Sequence, residues 1–183
     1  MDRQKTSWQT DLREIHLPRW SELPDIELYM DQLVTLVERY TAPFKVDQTG
    51  DSLLTSSMVN NYVKQKLIPA PQKKKYEKRH LARLIIITIL KQAFDISIVQ
   101  AGIKWQMETS DYRYAYDQFC TQMEDTIQLF LGAEDVVKFE IDVADLDFRP
   151  IQMATIALTS KLVTEKSLNI LTHVENTQSK GEI

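Results

Sequence analysis

Glycine is scarce in this chain: four in 183 residues, Gly50, Gly102, Gly132 and Gly181, with no two close together. A phosphate-cradling loop needs clustered glycines so that backbone N–H groups can approach the phosphates, and that kind of nucleotide site is excluded. A single cysteine, Cys120, rules out an intrachain disulfide, suits a reducing cytosol and leaves no thiolate set for metal sensing. His16, His80 and His173 stand in no motif with it, and Cys120 falls on an apolar helical stripe, where an inert buried thiol is expected. The acidic stretch Asp142 to Asp147 lacks the glycine and terminal glutamate of a calcium loop. No apolar run approaches the roughly 20 residues of a bilayer span, and the polar start at Asp2 replaces any signal peptide. These absences argue against an enzyme, a metal site, a cofactor and a membrane span, and for a cytoplasmic protein. The composition, 43% hydrophobic and 26% charged, is that of an ordinary soluble globular chain.

What the chain does hold lies between Leu53 and Ile98. Thr55 or Ser56 can accept the orphan N–H groups at the start of a helix whose apolar residues follow at Val59, Tyr62, Val63 and Leu67. The opposite face carries Ser57, Asn60, Asn61 and Lys64, small or polar groups able to meet base edges and phosphates in a major groove. Pro69 and Pro71 cannot continue the helix, which places its end near Leu67 and an extended segment after it. Lys73, Lys74, Lys75 and Tyr76 fill that segment, followed by Lys78, Arg79 and, a turn later, Arg83. From Asp51 to Arg83, eight Lys and Arg stand against Asp51 and Glu77, a net of +6 in a chain of net charge −4, which leaves −10 elsewhere. A local basic edge on an acidic body suits a duplex-facing patch; a solvated lysine loop has the same composition.

The next helix, from about Glu77, is apolar on most sides through Leu81, Leu84, Ile85, Ile86, Ile87, Ile89, Leu90 and Phe94, so it should run through the middle of the domain. Asp95 can cap a short helix, Ile96 to about Ile103. Upstream, Pro24 and Asp25 precede an amphipathic helix marked by Leu28, Tyr29, Leu33, Leu36, Val37 and Tyr40, with a loop from Thr41 to Asp51 after it. Residues 1–22 read as an arm draped on the domain, with Trp20 packed against it.

The order of these elements resembles the MerR-type winged helix: a Ser/Thr-capped recognition helix, a Tyr then Leu and Pro, a short wing with Tyr, a His-Leu-Ala-Arg-Leu helix and a Leu-Lys-x-x-Phe-x-Ile-Ser turn. A closer resemblance, to the bacterial domain of unknown function 1836 family, is carried by LPDIELYMDQL (Leu23 to Leu33), LTSSMVNNYVKQKLIP (Leu54 to Pro69) and KKYEKRHLARLIIITILKQAF (Lys74 to Phe94). It extends over most of residues 17–172. The resemblance implies a helical fold with a DNA-binding-like half. Asn60 and Asn61 stand where an Arg and a Tyr are common in MerR-type proteins, and Lys-Lys-Lys-Tyr replaces the usual Gly-Tyr-Arg of the wing, so base preference does not carry over. An asparagine can bind adenine bidentately, and an Asn pair can equally cap or bridge backbone.

After Trp105, Ser110 or Asp111 can start a helix with Tyr112, Tyr116, Phe119, Cys120, Met123, Ile127, Phe130 and Leu131 on one stripe and Gly132 as its stop. Val137, Phe139, Ile141 and Val143 alternate as a short strand or an acidic connector. Pro150 opens a long helix to about Val174, and a polar tail follows from Glu175. The two last helices have more apolar surface than a small head covers, so they either fold back on it or pair with a second copy. Trp105, Tyr112, Tyr114 and Tyr116 could line a cofactor pocket, although such stripes usually form core.

The expectation is a mainly all-α protein with a MerR-like winged helix-turn-helix head (23–105), an N-terminal arm (1–22), a C-terminal helical region (106–174) and a tail (175–183). Its expected function is that of a sequence-specific, dimeric transcriptional regulator, a repressor or autoregulator, on double-stranded DNA. Ser57, Asn60, Asn61 and Lys64 would face bases or phosphates, Lys73, Lys74, Lys75 and Tyr76 would form the wing, and Arg79 and Arg83 would brace the backbone. The rival is a winged-helix module that docks a protein partner; overall acidity, with a pI near 5.4, speaks for it.

Overall fold

A computed structural model describes residues 9–10, 12–45, 51–131 and 149–178, with only the helical backbone at 107, 109 and 170–178. Six helices order the described residues: α1 (Met30–Thr41), α2 (Ser56–Lys64), α3 (Lys78–Leu90), α4 (Ile96–Thr109), α5 (Tyr112–Leu131) and α6 (Arg149–Gln178), with a 3-10 turn at Ala42–Phe44 after α1. Extended pairing among them is limited to two isolated antiparallel bridges, Leu28 with Tyr76 and Gln72 with Lys75. The fold is therefore mainly helical, as expected. No helix among the described residues is long and apolar enough to cross a membrane.

Helix α3 is the axis. Nine of its residues, His80 to Ile85 and Ile87 to Ile89, are buried, and its five large aliphatics among them each contribute about 1.5–3 kcal/mol by leaving water. The helices α1, α4, α5 and α6 all pack on it. His80, wholly buried, accepts the Glu77 N–H at Nδ1 over 2.9 Å and so closes the first turn of α3. Burial, and after it the neighbouring Arg79, holds its pKa below the usual histidine value, so the ring stays neutral inside the core.

Several element boundaries depart from the sequence reading for local reasons. The first helix starts at Met30 and leaves out Leu28 and Tyr29, which the sequence pattern included, because Leu28 exchanges both backbone hydrogen bonds with Tyr76 at 2.8 Å and is thereby held extended. Helix α2 stops at Lys64, ahead of the prolines: Lys66 takes a left-handed φ of 58°, Leu67 N–H reaches Tyr62 O at 2.9 Å and Lys66 N–H reaches Val63 O at 3.0 Å. That is a Schellman cap with lysine in the place glycine usually takes. Helix α4 continues past Gly102 to Thr109, since one exposed glycine costs only about 1 kcal/mol. Helix α6 runs to Gln178, beyond the expected end at Val174. The stretch 137–143, by sequence either a short strand or an acidic connector, lies outside the described residues.

Helices α5 and α6 fold back on each other within one chain. Thr126 and Thr155 hydroxyls meet at 3.1 Å between them, and Leu158 and Leu162 are buried. The N-terminal segment is fastened to α5 rather than to the head alone. Arg19 makes a forked pair with Glu124 (Nη1 to Oε1 2.8 Å, Nη2 to Oε2 2.5 Å), and the same carboxylate accepts Leu17 N–H at 2.7 Å. Trp20 N–H donates to Asp117 at 2.6 Å, its ring meets Tyr112 and Tyr116 edge-on, and the Tyr116 hydroxyl donates to Pro18 O at 2.8 Å. The N-terminal segment and α5, far apart in sequence, are thus joined by a polar seam.

Glu124→Ala removes the carboxylate partner of Arg19 and the acceptor of Leu17 N–H in a half-buried site, leaving the guanidinium only its bond to Leu17 O. Chemical denaturation should show a loss of about 2–3 kcal/mol. A loss below about 0.5 kcal/mol would mean that the seam does not hold the arm in solution.

Candidate nucleic-acid interface

Helix α2 begins where the Thr55 hydroxyl accepts Met58 N–H at 3.2 Å. It buries Val59 and Tyr62, with Met58 and Val63 partly covered. Its other face leaves Ser57, Asn60, Asn61 and Lys64 all exposed. The asparagines are not used as internal caps, which was the alternative reading open in the sequence.

Both ends of α2 are pinned by cations from or beside α3. Arg83 donates from Nη1 to Leu67 O at 3.1 Å, just past the Schellman cap. Lys91, directly after α3, donates from Nζ to Leu53 O and lies 3.9 Å from Met58 Sδ, just before and within the first turn of α2. Arg83 and Lys91 are eight residues apart, a rise of about 12 Å along a helix, close to the length of the nine-residue α2. Burial lowers the Lys91 pKa, with Glu38 opposing. Glu38 on α1 also accepts the Leu54 N–H. The presented face of α2 is therefore set by its neighbours rather than by its own short length.

The lysine run forms a minimal hairpin. Gln72 and Lys75 exchange backbone hydrogen bonds at 3.1 and 2.8 Å, and Lys73 and Lys74 between them have φ of 48° and 64°. Two successive left-handed residues are the signature of a type I′ turn, which normally takes Asn-Gly because a Cβ is unfavourable there. Tyr76, directly after Lys75, makes the other isolated bridge, with Leu28, so the two bridges follow one another along the chain.

Side-chain placement divides the expected site. Ser57, Asn60, Asn61, Lys64, Lys73 and Lys74 are exposed. Lys75 is held by Glu27 at 2.7 Å and Arg79 by Glu77 at 2.9 Å, so part of the expected positive charge is neutralised on the surface. Tyr76 and Arg83 are corrected to internal roles. Tyr76 is 3% exposed, with its ring edge-on to His80, and Arg83 is 7% exposed, lying over the Tyr112 ring and bound to Leu67 O. Apolar surroundings bury the first, and a backbone acceptor occupies the second. Lys66 was missed: exposed directly after the Gln65 C-cap of α2, it adds a cation near Lys64, and the charge count over this segment already contained it.

The aromatics suspected of lining a pocket also divide. Trp105, Tyr112 and Tyr116 border a cavity of about 390 Å³, whereas Tyr114 lies elsewhere and is exposed. Cys120 is fully buried, its thiol pushed up to about 12 mainly by burial, so it carries no thiolate at neutral pH. Among the described residues, no group of His, Cys, Asp or Glu could hold a metal ion.

The family model for the domain of unknown function DUF1836 matches residues 18–119, from Pro18 to the middle of α5. The chain belongs to that family. No curated protein and no solved structure matches it. The matched region includes α1 to α4, the hairpin and the Tyr116 contact to Pro18, so the seam that fastens the N-terminal segment lies partly within the family's own boundaries.

Replacing Lys73–Lys74 by Asn-Gly should relieve the left-handed strain and raise stability by about 1–2 kcal/mol, read from denaturant midpoints. Unchanged or lower stability would show that the turn is not of this type.

Proposed function

We propose that this protein is a sequence-specific DNA-binding transcriptional regulator with no chemistry of its own. Helix α2 enters the major groove, and the Gln72–Lys75 hairpin serves as the wing of a MerR-like winged helix built from α1, α2, the hairpin and α3. The observation that carries this reading is the exposed face of a pinned helix: Asn60 and Asn61 point outward next to Ser57 and Lys64, and two further exposed lysines sit on the hairpin tip. Asparagine recognises adenine through N6 and N7, a contact worth on the order of 1–3 kcal/mol of discrimination. Lysines on a turn contribute phosphate contacts that fix register without reading sequence.

In this proposal the working site is Ser57, Asn60, Asn61, Lys64, Lys66, Lys73 and Lys74, with Lys75 and Arg79 able to exchange their carboxylate partners for phosphates. Tyr76 and Arg83 support it from within. The regulator acts as a homodimer, with two α2 helices about 34–36 Å apart, or a multiple of that, on an inverted repeat. Leu129 and Phe130, apolar and exposed near the end of α5, offer a contact for the second copy. The alternative is a winged-helix module that docks a protein and never touches DNA. Neutralisation of Lys75, Lys78 and Arg79 by Glu27, Asp25 and Glu77 favours it, as does the net charge of −4.

Salt separates the two. Duplex fragments selected by the protein from genomic DNA should bind with an affinity that falls linearly in log salt, and Lys74→Ala should reduce the slope by about one. Asn60→Ala should instead lower the preference for the selected sequence by about 1–3 kcal/mol and leave the slope alone. Absence of any retained duplex at low ionic strength would favour the protein-docking alternative.

A further inference from the structure

The cavity of about 390 Å³ lies where α3, α4, α5 and α6 meet. Its volume falls within the roughly 300–1,000 Å³ of small-molecule sites. Ile86 and Leu90 of α3, Phe119 of α5 and Ala154 of α6 are among the apolar groups on its wall. Its border on α4 includes Gly102, where an added Cβ would meet nothing within 4 Å. Apolar side chains that border the cavity also reach solvent: Ile98 is 60% exposed, Trp105 46% and Met153 40%, so a ligand has an apolar way in. Among the described residues that border it, Arg83 is the single charged side chain and none is a carboxylate.

We propose that this cavity binds a small monocarboxylate with an apolar tail or ring. The body fills the aliphatic and aromatic space and the carboxylate lies toward Arg83. In surroundings of low polarity a charge-assisted contact to a guanidinium is strong, whereas a cationic head would be repelled and desolvated. Arg83 also donates to Leu67 O at the end of α2. A carboxylate that draws on the same guanidinium therefore alters the anchor of α2. This second half rests on the DNA-binding reading; the binding of the ligand does not.

The test uses the full chain with decanoate, decanol and decylammonium as probes, below their micelle concentrations, followed by calorimetry. Decanoate should bind saturably at one site per chain, decanol more weakly, and decylammonium at least tenfold more weakly than decanoate. Gly102→Phe, which projects a ring into open space from an α4 surface position, should keep the wild-type melting temperature and weaken decanoate at least tenfold. Ala154→Phe, on the opposite wall, provides a second occluding variant should the first disturb the fold. No saturable binding, equal binding of decanoate to wild type and to a folded occluding variant, or equal affinity for all three head groups would each overturn the proposal. Fluorescence anisotropy with the selected duplex then reads the coupling: decanoate should change duplex affinity at least threefold. If decanoate binds as expected and no duplex is retained with or without it, the DNA-binding reading fails and the cavity assignment stands.

Discussion

Two cations, one on the buried helix α3 and one at its C-cap, govern the arrangement. Arg83 and Lys91 extend from α3 and its C-cap to the carbonyls of Leu67 and Leu53, which flank α2. A nine-residue helix is too short to be stable by itself; here it is held by the burial of Val59 and Tyr62 and by these two hydrogen bonds. Placing a guanidinium and an ammonium inside or beside the core is costly unless each finds an acceptor. Any displacement of α2 would strip those acceptors away, so the cost of moving it is high and its outward face is fixed.

The same helix links the head to the C-terminal half. Arg83 lies over Tyr112 of α5, and the Tyr112 hydroxyl donates to Arg79 O at 2.7 Å. Tyr112 and Tyr116 in turn receive Trp20 from the N-terminal segment, whose Arg19 is locked to Glu124. Head, arm and α5 thus share one continuous set of aromatic and charged contacts. This network borders the cavity on one side and the end of α2 on the other, which places a ligand site and a surface helix one side chain apart.

Much of this was readable in the residues. The burial of α3 followed from an aliphatic run with no polar face wide enough to meet water. The exposure of Asn60, Asn61 and Lys64 followed from the spacing of Val59, Tyr62 and Val63, and the cap was legible as Thr55 or Ser56, of which the fold uses Thr55. Less legible were features that depend on partners distant in sequence. Nothing around Leu28 announces the bridge to Tyr76, so a continuous helical pattern concealed an extended start. Arg83 and Tyr76 looked like surface cation and wing because their neighbours are basic, yet each is claimed by an acceptor or an apolar wall that only the fold supplies. The left-handed backbone of Lys66, Lys73 and Lys74 was hidden because residues other than glycine rarely adopt it. The forked pair between Arg19 and Glu124 spans 105 positions and left no local trace.

The account turns on whether the outward face of α2 and the tip of the hairpin are where a duplex lies. Backbone amide NMR of the labelled protein, titrated with a duplex selected from genomic DNA, reads this residue by residue. The prediction is that the largest shifts fall on Ser57, Asn60, Asn61, Lys64, Lys73 and Lys74, with α3 amides such as Leu84 and Ile85 nearly unmoved. Shifts concentrated on α5 and α6, with α2 and the hairpin silent, would contradict it.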